Sequence, residues 1–356
     1  MENQEPTNRN LIQSRVSRRT ALKAGGIAAL GLAFSKPLIQ TIYPQPAFAQ
    51  LSSAGLPGND TTPDPQGQPL IAGCNPNNWV LGSEFSILTP VRALAVTNTG
   101  YIYAAADDML VQKFDPSGSL VAQWGGVEGS GNGQFDEGGS SGVAVSPLGK
   151  VYVLDNGNNR VQIFDPNGNF LGKWGSFGTG NGQFDTPRGI VIDSAGNVYV
   201  SEDNHRIQKF NSAGGYLGQW GTQGSGDGQF NGPDGIAVDT SGNVYVSDKL
   251  NHRIQKFAPD GTFITKWGTQ GTGDGQFNRP AHIAVDGSGH VYVRDYKLPD
   301  GRVQIFDSNG AYLNKIEGSS ALGNGIALSS GCTLYLGTSY YEGTSFKLYL
   351  LKYVQA

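Results

Sequence analysis

The residues able to do chemistry in this chain are few. There are four histidines, His205, His252, His282 and His290, and two cysteines, Cys74 and Cys332. A catalytic divalent ion wants several imidazole or carboxylate ligands converging, with one position left open. His205 and His252 each stand directly before an arginine, Arg206 and Arg253, in near-copies of one segment. His290 falls in a Gly-His-Val-Tyr-Val run where two other copies have asparagine. His282 is the histidine that the copies do not explain. Asp234 and Glu202 are the carboxylates that would have to join it around a metal.

Recurrence separates scaffold from site. Asp155, Glu202, Asp248 and Asp295 occupy one position in successive copies, each followed by an arginine, Arg160, Arg206, Arg253 and Arg302. Residues imposed on every copy serve the copy, so these read as structural ion pairs. Arg188, Asp234, His282 and Arg294 each belong to one copy only, and they are the candidate ligand contacts. The Gly-rich runs at 178–184, 224–230 and 271–277 lack the lysine of a phosphate loop and the carboxylate series of a calcium loop. They read as crossovers.

The elements that hold these residues repeat. Trp124, Trp174, Trp220 and Trp267 are spaced by 50, 46 and 47 residues. Apolar pentads recur at 93–97, 143–147, 190–194, 236–240, 283–287 and 326–330, and Val-Tyr-Val-like runs follow each of them. Glycine is abundant, 53 residues, and charge is low, at 15%. Such a composition favours short strands and tight turns. A period in the forties with four strand signals predicts an all-β, six-bladed β-propeller of four-stranded antiparallel blades. In the fourth copy, Gly235-Ile236-Ala237-Val238-Asp239 is the inner strand and Val244-Tyr245-Val246-Ser247-Asp248 the second. Arg253-Ile254-Gln255-Lys256-Phe257 is the third, and residues 262–267 form the outer strand. Turns of two to four residues join only antiparallel neighbours.

The pattern Gln-Phe-x-x-Pro-x-Gly-Ile-Ala-Val-Asp, then Gly-Asn-Val-Tyr-Val-x-Asp, then Asn-x-Arg-Ile-Gln-Lys-Phe resembles the NHL repeat. It runs over nearly all of residues 77–356, closely in blades 2 to 5. The last copy has no outer strand of its own. Asn78-Trp79-Val80-Leu81-Gly82 resembles the outer strand Phe170-Leu171-Gly172-Lys173-Trp174-Gly175. Residues 78–82 of the N-terminal segment are therefore expected to complete blade 6 and cover its open edge. Cys74 and Cys332 then fall on one face of the ring. They are either a disulfide locking the closure or two separate buried thiols.

In this topology the loops between strands two and three share a face with the blade-to-blade loops, around the channel mouth. Arg188, Asp234, His282 and Arg294 belong to that mouth. The resemblance implies two enzymatic relatives as well. Peptidyl-hydroxyglycine amidating lyases use a histidine-bound zinc at the channel, and streptogramin-type lyases use a histidine with a divalent metal. The histidine triad of the first is absent here. The leading expectation is a non-catalytic binding module for a protein, peptide or glycan ligand, with no cofactor. The alternative is a metal-assisted lyase or hydrolase around His282.

The first residues read as an address. Ser17-Arg18-Arg19-Thr20-Ala21-Leu22-Lys23 resembles the twin-arginine export motif, with Ala21 in place of the usual phenylalanine. A short apolar stretch follows, and Ala47-Phe48-Ala49 offers a small-x-small cleavage site. The expected organisation is a signal peptide at 1–49, a flexible linker at 50–74 and the propeller at 75–356. Export to the periplasm or the cell exterior follows, as a monomer with no membrane anchor after cleavage. Residues 1–49 hold six of the 25 Lys/Arg and two of the 29 Asp/Glu. That leaves 19 basic and 27 acidic residues, net −8, in the body. A body of that sign is a poor partner for nucleic acid, whose phosphates need clustered Lys/Arg.

Overall fold

The structure is a computed structural model that describes residues 74–77, 79–87, 90–106, 108–136, 140–296, 301–317, 325–342 and 345–355. The expected signal peptide, and the linker up to residue 73, lie outside the described residues. Six four-stranded antiparallel sheets make the fold, and in blades 1 to 5 chain order equals sheet order. Blade 4 is typical: Pro233–Val238, Val244–Asp248, Arg253–Phe257 and Phe263–Trp267 run from the channel outwards. The second and third strands are buried throughout, whereas the outer strand alternates between half-buried and exposed residues. That gradient follows from position, because only the outer strand faces water on one side. Inner strands pack on one another around the channel, and Ile326–Leu328 packs on Val91–Val96, closing the ring. Among the described residues no helix is long and apolar enough to cross a membrane.

The tryptophans explain why the blades stay in step. Trp124, Trp174, Trp220 and Trp267 each cover the turn between strands three and four of the next blade. A Cβ on Gly168, Gly214, Gly261 or Gly310 would stand 2.7, 2.5, 2.8 or 2.5 Å from the indole. The same glycines have φ between 88° and 91°, so both sterics and backbone demand glycine there. Each indole also meets a tyrosine of its own blade edge-on, as Trp220 does Tyr199 at 6.2 Å.

Blade 6 is closed by Trp79–Ser86, which pairs antiparallel with Ser345–Gln355. The clasp is longer than the 78–82 expected, running on to Ser86. Phe85, not Trp79, takes the tryptophan's role, lying against Gly118 of blade 1. Trp79 packs edge-on against Tyr292 of blade 5 at 5.8 Å. Blade 5 has Ile316 where blades 1 to 4 have tryptophan, so Trp79 supplies the missing ring. One segment thus seals blade 6 against both neighbours.

Cys74 and Cys332 form a disulfide with Cα atoms 5.4 Å apart, inside the range that a bridge spans. Cys332 has φ 53° in a turn where the other blades place Gly100, Gly149, Gly196, Gly242 and Gly289. Cys74 is buried, and its N–H donates to Asp286 Oδ2 at 3.1 Å. The segment ahead of the clasp is therefore tied to blades 5 and 6 together.

Candidate functional site at the channel mouth

The acids that recur at the ends of second strands are interior groups. Asp155, Glu202, Asp248 and Asp295 are fully buried, and pair with Arg160, Arg206, Arg253 and Arg302 at 2.7, 2.6, 2.7 and 3.0 Å. Each arginine also fastens the preceding crossover loop. Arg253 donates to the carbonyls of Ser225, Gly226 and Gln229 at 2.7, 2.8 and 2.9 Å. Gln255 adds a bond to the Gln229 carbonyl and accepts from Gly228 N. The Gly-rich runs are thus crossovers held by side chains of the blade they lead into. Glu202 is committed to this frame and cannot turn to His282. It accepts from Arg206, Gln208 and the N–H of Asp185.

Three histidines also belong to the frame. His205 and His252 adopt φ 58° and 54°, and their Nδ1 atoms accept from the N–H of Gly232 and Arg279 at 3.3 and 3.4 Å. Asn159 does the same for Thr186 in blade 2. These residues stitch the loop after each second strand to the start of the next blade. His290 pairs with Asp286 at 2.8 Å, at the turn between the first two strands of blade 5 and so on the face opposite the mouth.

The blade-specific residues gather at the mouth. Arg188 forks onto Asp203, with Nε to Oδ1 2.9 Å and Nη2 to Oδ2 2.5 Å. In blade 4 the polarity is reversed: Asp234 Oδ2 accepts from Lys249 Nζ at 2.6 Å. Both pairs link an inner strand to the loop after strand two, 15 residues on. In blade 5 the same offset from Ala281 falls on Tyr296, whose ring lies 5.6 Å from Lys249 Nζ. Asp203, Lys249 and Tyr296 escaped the sequence reading. Their signal was the constant offset from Arg188, Asp234 and Ala281.

Electrostatics couple the pairs. The hydrogen bonds to Asp203 are the main reason that the Arg188 guanidinium titrates above its ordinary range. Burial is the largest influence on Asp234 and pushes it up. Lys249, His282 and Arg188 together outweigh burial and hold its carboxyl below the usual range. A sequence of alternating charge, Asp203, Arg188, Asp234, Lys249, therefore spans blades 3 and 4.

His282 and Arg294 complete the mouth on blade 5, flanking the paired residues Ile283 and Val293. In blades 3 and 4 their places hold Gly189 with Ser201, and Gly235 with Ser247. Glycine is required there because the next inner strand is close: a Cβ on Gly235 would collide with the Ala281 carbonyl. Blade 5 instead carries two large polar side chains. Arg294 is buried, and burial pushes its guanidinium down to about 10. It stays charged near neutrality. His282 is half-buried, and among the described residues its Nδ1, shut off from solvent, has no hydrogen-bond partner. Burial pushes the imidazole down to about 4. Asp234 opposes that shift, and the charges of Arg294 and Lys249 add to it. His282 is neutral at pH 7. Among the described residues no three His, Cys, Asp or Glu side chains stand close enough together to hold a metal ion.

A protein so built is a six-bladed β-propeller. A family model described as NHL repeat matches residues 141–164 and 230–257, in blades 2 and 4. No curated protein sequence matches the chain. Among solved structures the fold is similar to virginiamycin B lyase from Staphylococcus aureus, at 13% identity and TM-score 0.55, over 78% of this chain and 100% of that one. It is similar to a gluconolactonase from Xanthomonas campestris, at 15% identity and TM-score 0.55, over 78% and 95%. A streptogramin B lyase gives 14% identity and TM-score 0.52, over 78% and 98%. At such identities the likeness is one of fold.

Proposed function

We propose that the protein is an exported recognition module that takes a protein, peptide or glycan ligand on its mouth face. The observation behind this reading is the pair of polarity-reversed ion pairs, Arg188–Asp203 and Asp234–Lys249. They sit at equivalent points of adjacent blades, with Arg188, Asp203 and Lys249 partly exposed and Asp234 buried beneath Lys249's ammonium, and no repeat rule requires them. Fixed, partly solvated charges of alternating sign orient a polar partner and reject a mismatched one. Nucleic acid is not the partner proposed, given the net −8 of the chain outside residues 1–49. Panning of peptide and glycan libraries on the purified protein tests the reading, followed by the swap Asp234→Lys with Lys249→Asp. Ligands recovered on the native protein should be lost on the swapped one. Recovered ligands that all tolerate the swap refute the assignment to the mouth.

A second reading has its own support. His282 carries a neutral imidazole whose Nδ1 lacks a partner among the described residues, and the similar folds include lyases and a gluconolactonase. An unsatisfied buried nitrogen has an energetic reason to take a ligand. On this reading the mouth houses a metal-assisted lyase or hydrolase centred on His282. Elemental mass spectrometry of the natively exported protein after dialysis separates the two. About one zinc, calcium or magnesium per chain, lost in His282→Ala, favours the enzyme. Native metal content or activity that His282→Ala leaves unchanged ends that reading.

A further inference from the structure

The end of the channel opposite the mouth contains a cavity of about 520 Å³. Each inner strand contributes aliphatic wall, including Leu94, Ile190 and Ile283, and the space extends sideways between blades 1 and 2 to Tyr101 and Lys113. Ligand pockets commonly fall in the range of about 300–1,000 Å³.

Blade 1 breaks the repeat at this point. In blades 3 and 4 the residue after the inner strand is an aspartate, Asp193 or Asp239, and the third strand carries Lys209 or Lys256. Lys256 Nζ lies 3.9 Å from Asp239, so in blade 4 the lysine has an acid of its own blade beside it. Blade 2 drops both charges, with Ser146 and Ile163. Blade 1 keeps the lysine, Lys113, but has Thr97 in the aspartate position and Tyr101 in place of Asn197 or Asn243. Lys113 Nζ donates to the Pro166 carbonyl at 3.0 Å and lies 4.8 and 5.6 Å from the Tyr101 and Tyr103 ring centroids. Among the described residues no carboxylate pairs with it. An ammonium has three donors, so two remain for a ligand. Blade 6 shows a similar exchange, Ser329 with Lys352, but Lys352 does not line the cavity.

We infer that this end of the channel binds a small amphipathic carboxylate. Its hydrocarbon part lies along the aliphatic channel wall, and its carboxylate takes the counter-ion place that Asp239 fills in blade 4. The hydroxyl of Thr97 sits where the missing acid would, and Thr99 lines the same space. This site is separate from the mouth and does not depend on the function assigned there.

Calorimetric titration of the full chain with decanoate and with decanol tests the inference, alongside Lys113→Met, Lys113→Arg, Thr97→Asp and the mouth variant Asp234→Asn. Decanoate should bind more tightly than decanol. Lys113→Met should weaken decanoate by at least about tenfold and leave decanol unchanged, as befits loss of one charged hydrogen bond. Lys113→Arg keeps the charge and should retain binding, which separates loss of the cation from loss of fold. Thr97→Asp rebuilds the internal counter-ion and should weaken decanoate as much as Lys113→Met does. Asp234→Asn should change nothing. Absence of decanoate binding, equal losses for acid and alcohol in Lys113→Met, or sensitivity to Asp234→Asn instead of Lys113 would each overturn the assignment.

Discussion

Two kinds of ion pair stand on the mouth face a few residues apart, and they differ in everything but their chemistry. Asp248–Arg253 is fully enclosed at its carboxylate, and its guanidinium spends its other donors on three loop carbonyls. The arrangement recurs in blades 2, 3 and 5. Arg188–Asp203 has side chains 41% and 36% exposed, occurs in one blade, and its neighbour Asp234–Lys249 carries the opposite polarity. The first kind replaces water wholly with protein donors, so it binds a loop to its blade. Arg188–Asp203 remains partly solvated, so it adds little to the fold and leaves charge to meet a partner. In a repeat protein, identity across copies marks architecture and departure marks a site.

The comparison breaks first, and hardest, at Arg253. Arg253→Ala leaves the Asp248 carboxylate buried with only Asn251, Gln255 and a backbone N–H. Urea unfolding should show a loss of ~3–5 kcal/mol, the usual cost of orphaning one member of a buried pair. A loss of under ~1 kcal/mol would place this pair with the surface pairs and dissolve the distinction.

The disulfide is a departure of another kind, confined to the seam. It closes a loop of 258 residues, so Cys74→Ser should lower stability by ~2–4 kcal/mol. The strand pairing and the Phe85 packing remain, so the far-ultraviolet spectrum should stay native. An unfolded variant at room temperature would show that the hydrogen bonds of the clasp cannot close the ring alone.

How much of this was legible depended on repetition. Blades 2 to 5 present the same strand pattern four times, so periodicity alone places their edges and turns. The clasp lies outside the repeat. Its resemblance to one outer strand located it but gave neither its length nor its register, because the decisive contacts, Phe85 on Gly118 and Trp79 on Tyr292, are long-range. At the mouth, departures from the repeat led to Arg188, Asp234, His282 and Arg294. Their partners Asp203 and Lys249 stand in a loop whose sequence varies between blades. The cavity at the other end escaped altogether. Its walls are the ordinary apolar residues of the inner strands, and its one signal is a charge that is missing, at Thr97.

His282 sharpens the comparison through pH. Its folded value is about 4, against an ordinary 6.5 in the unfolded chain. Below 6.5 the unfolded chain takes up a proton that the folded state refuses until pH approaches 4. The stability tied to neutral His282 is therefore complete above pH 6.5 and lost as pH falls towards 4. His282 is half-buried, so the loss should be ~2 kcal/mol, below the full linkage value. His282→Gln should remove this part of the acid slope, measured as the difference between the two stability–pH curves. Superimposable curves would mean that the imidazole titrates normally and is no special group.

The smallest expected effect falls on the exposed pair, and it separates the two regions most directly. Arg188→Ala removes a forked ion pair that looks, by geometry, as good as those inside. If solvation decides worth, unfolding free energy should drop by no more than ~1 kcal/mol, because Asp203 simply returns to water. Binding of a mouth-face ligand should fall far more, since Arg188 is itself one of the fixed charges at the mouth. A variant as damaged in stability as Arg253→Ala would mean that Arg188–Asp203 is scaffold after all. A stable variant with unaltered ligand binding would move recognition from blades 3 and 4 towards His282 on blade 5.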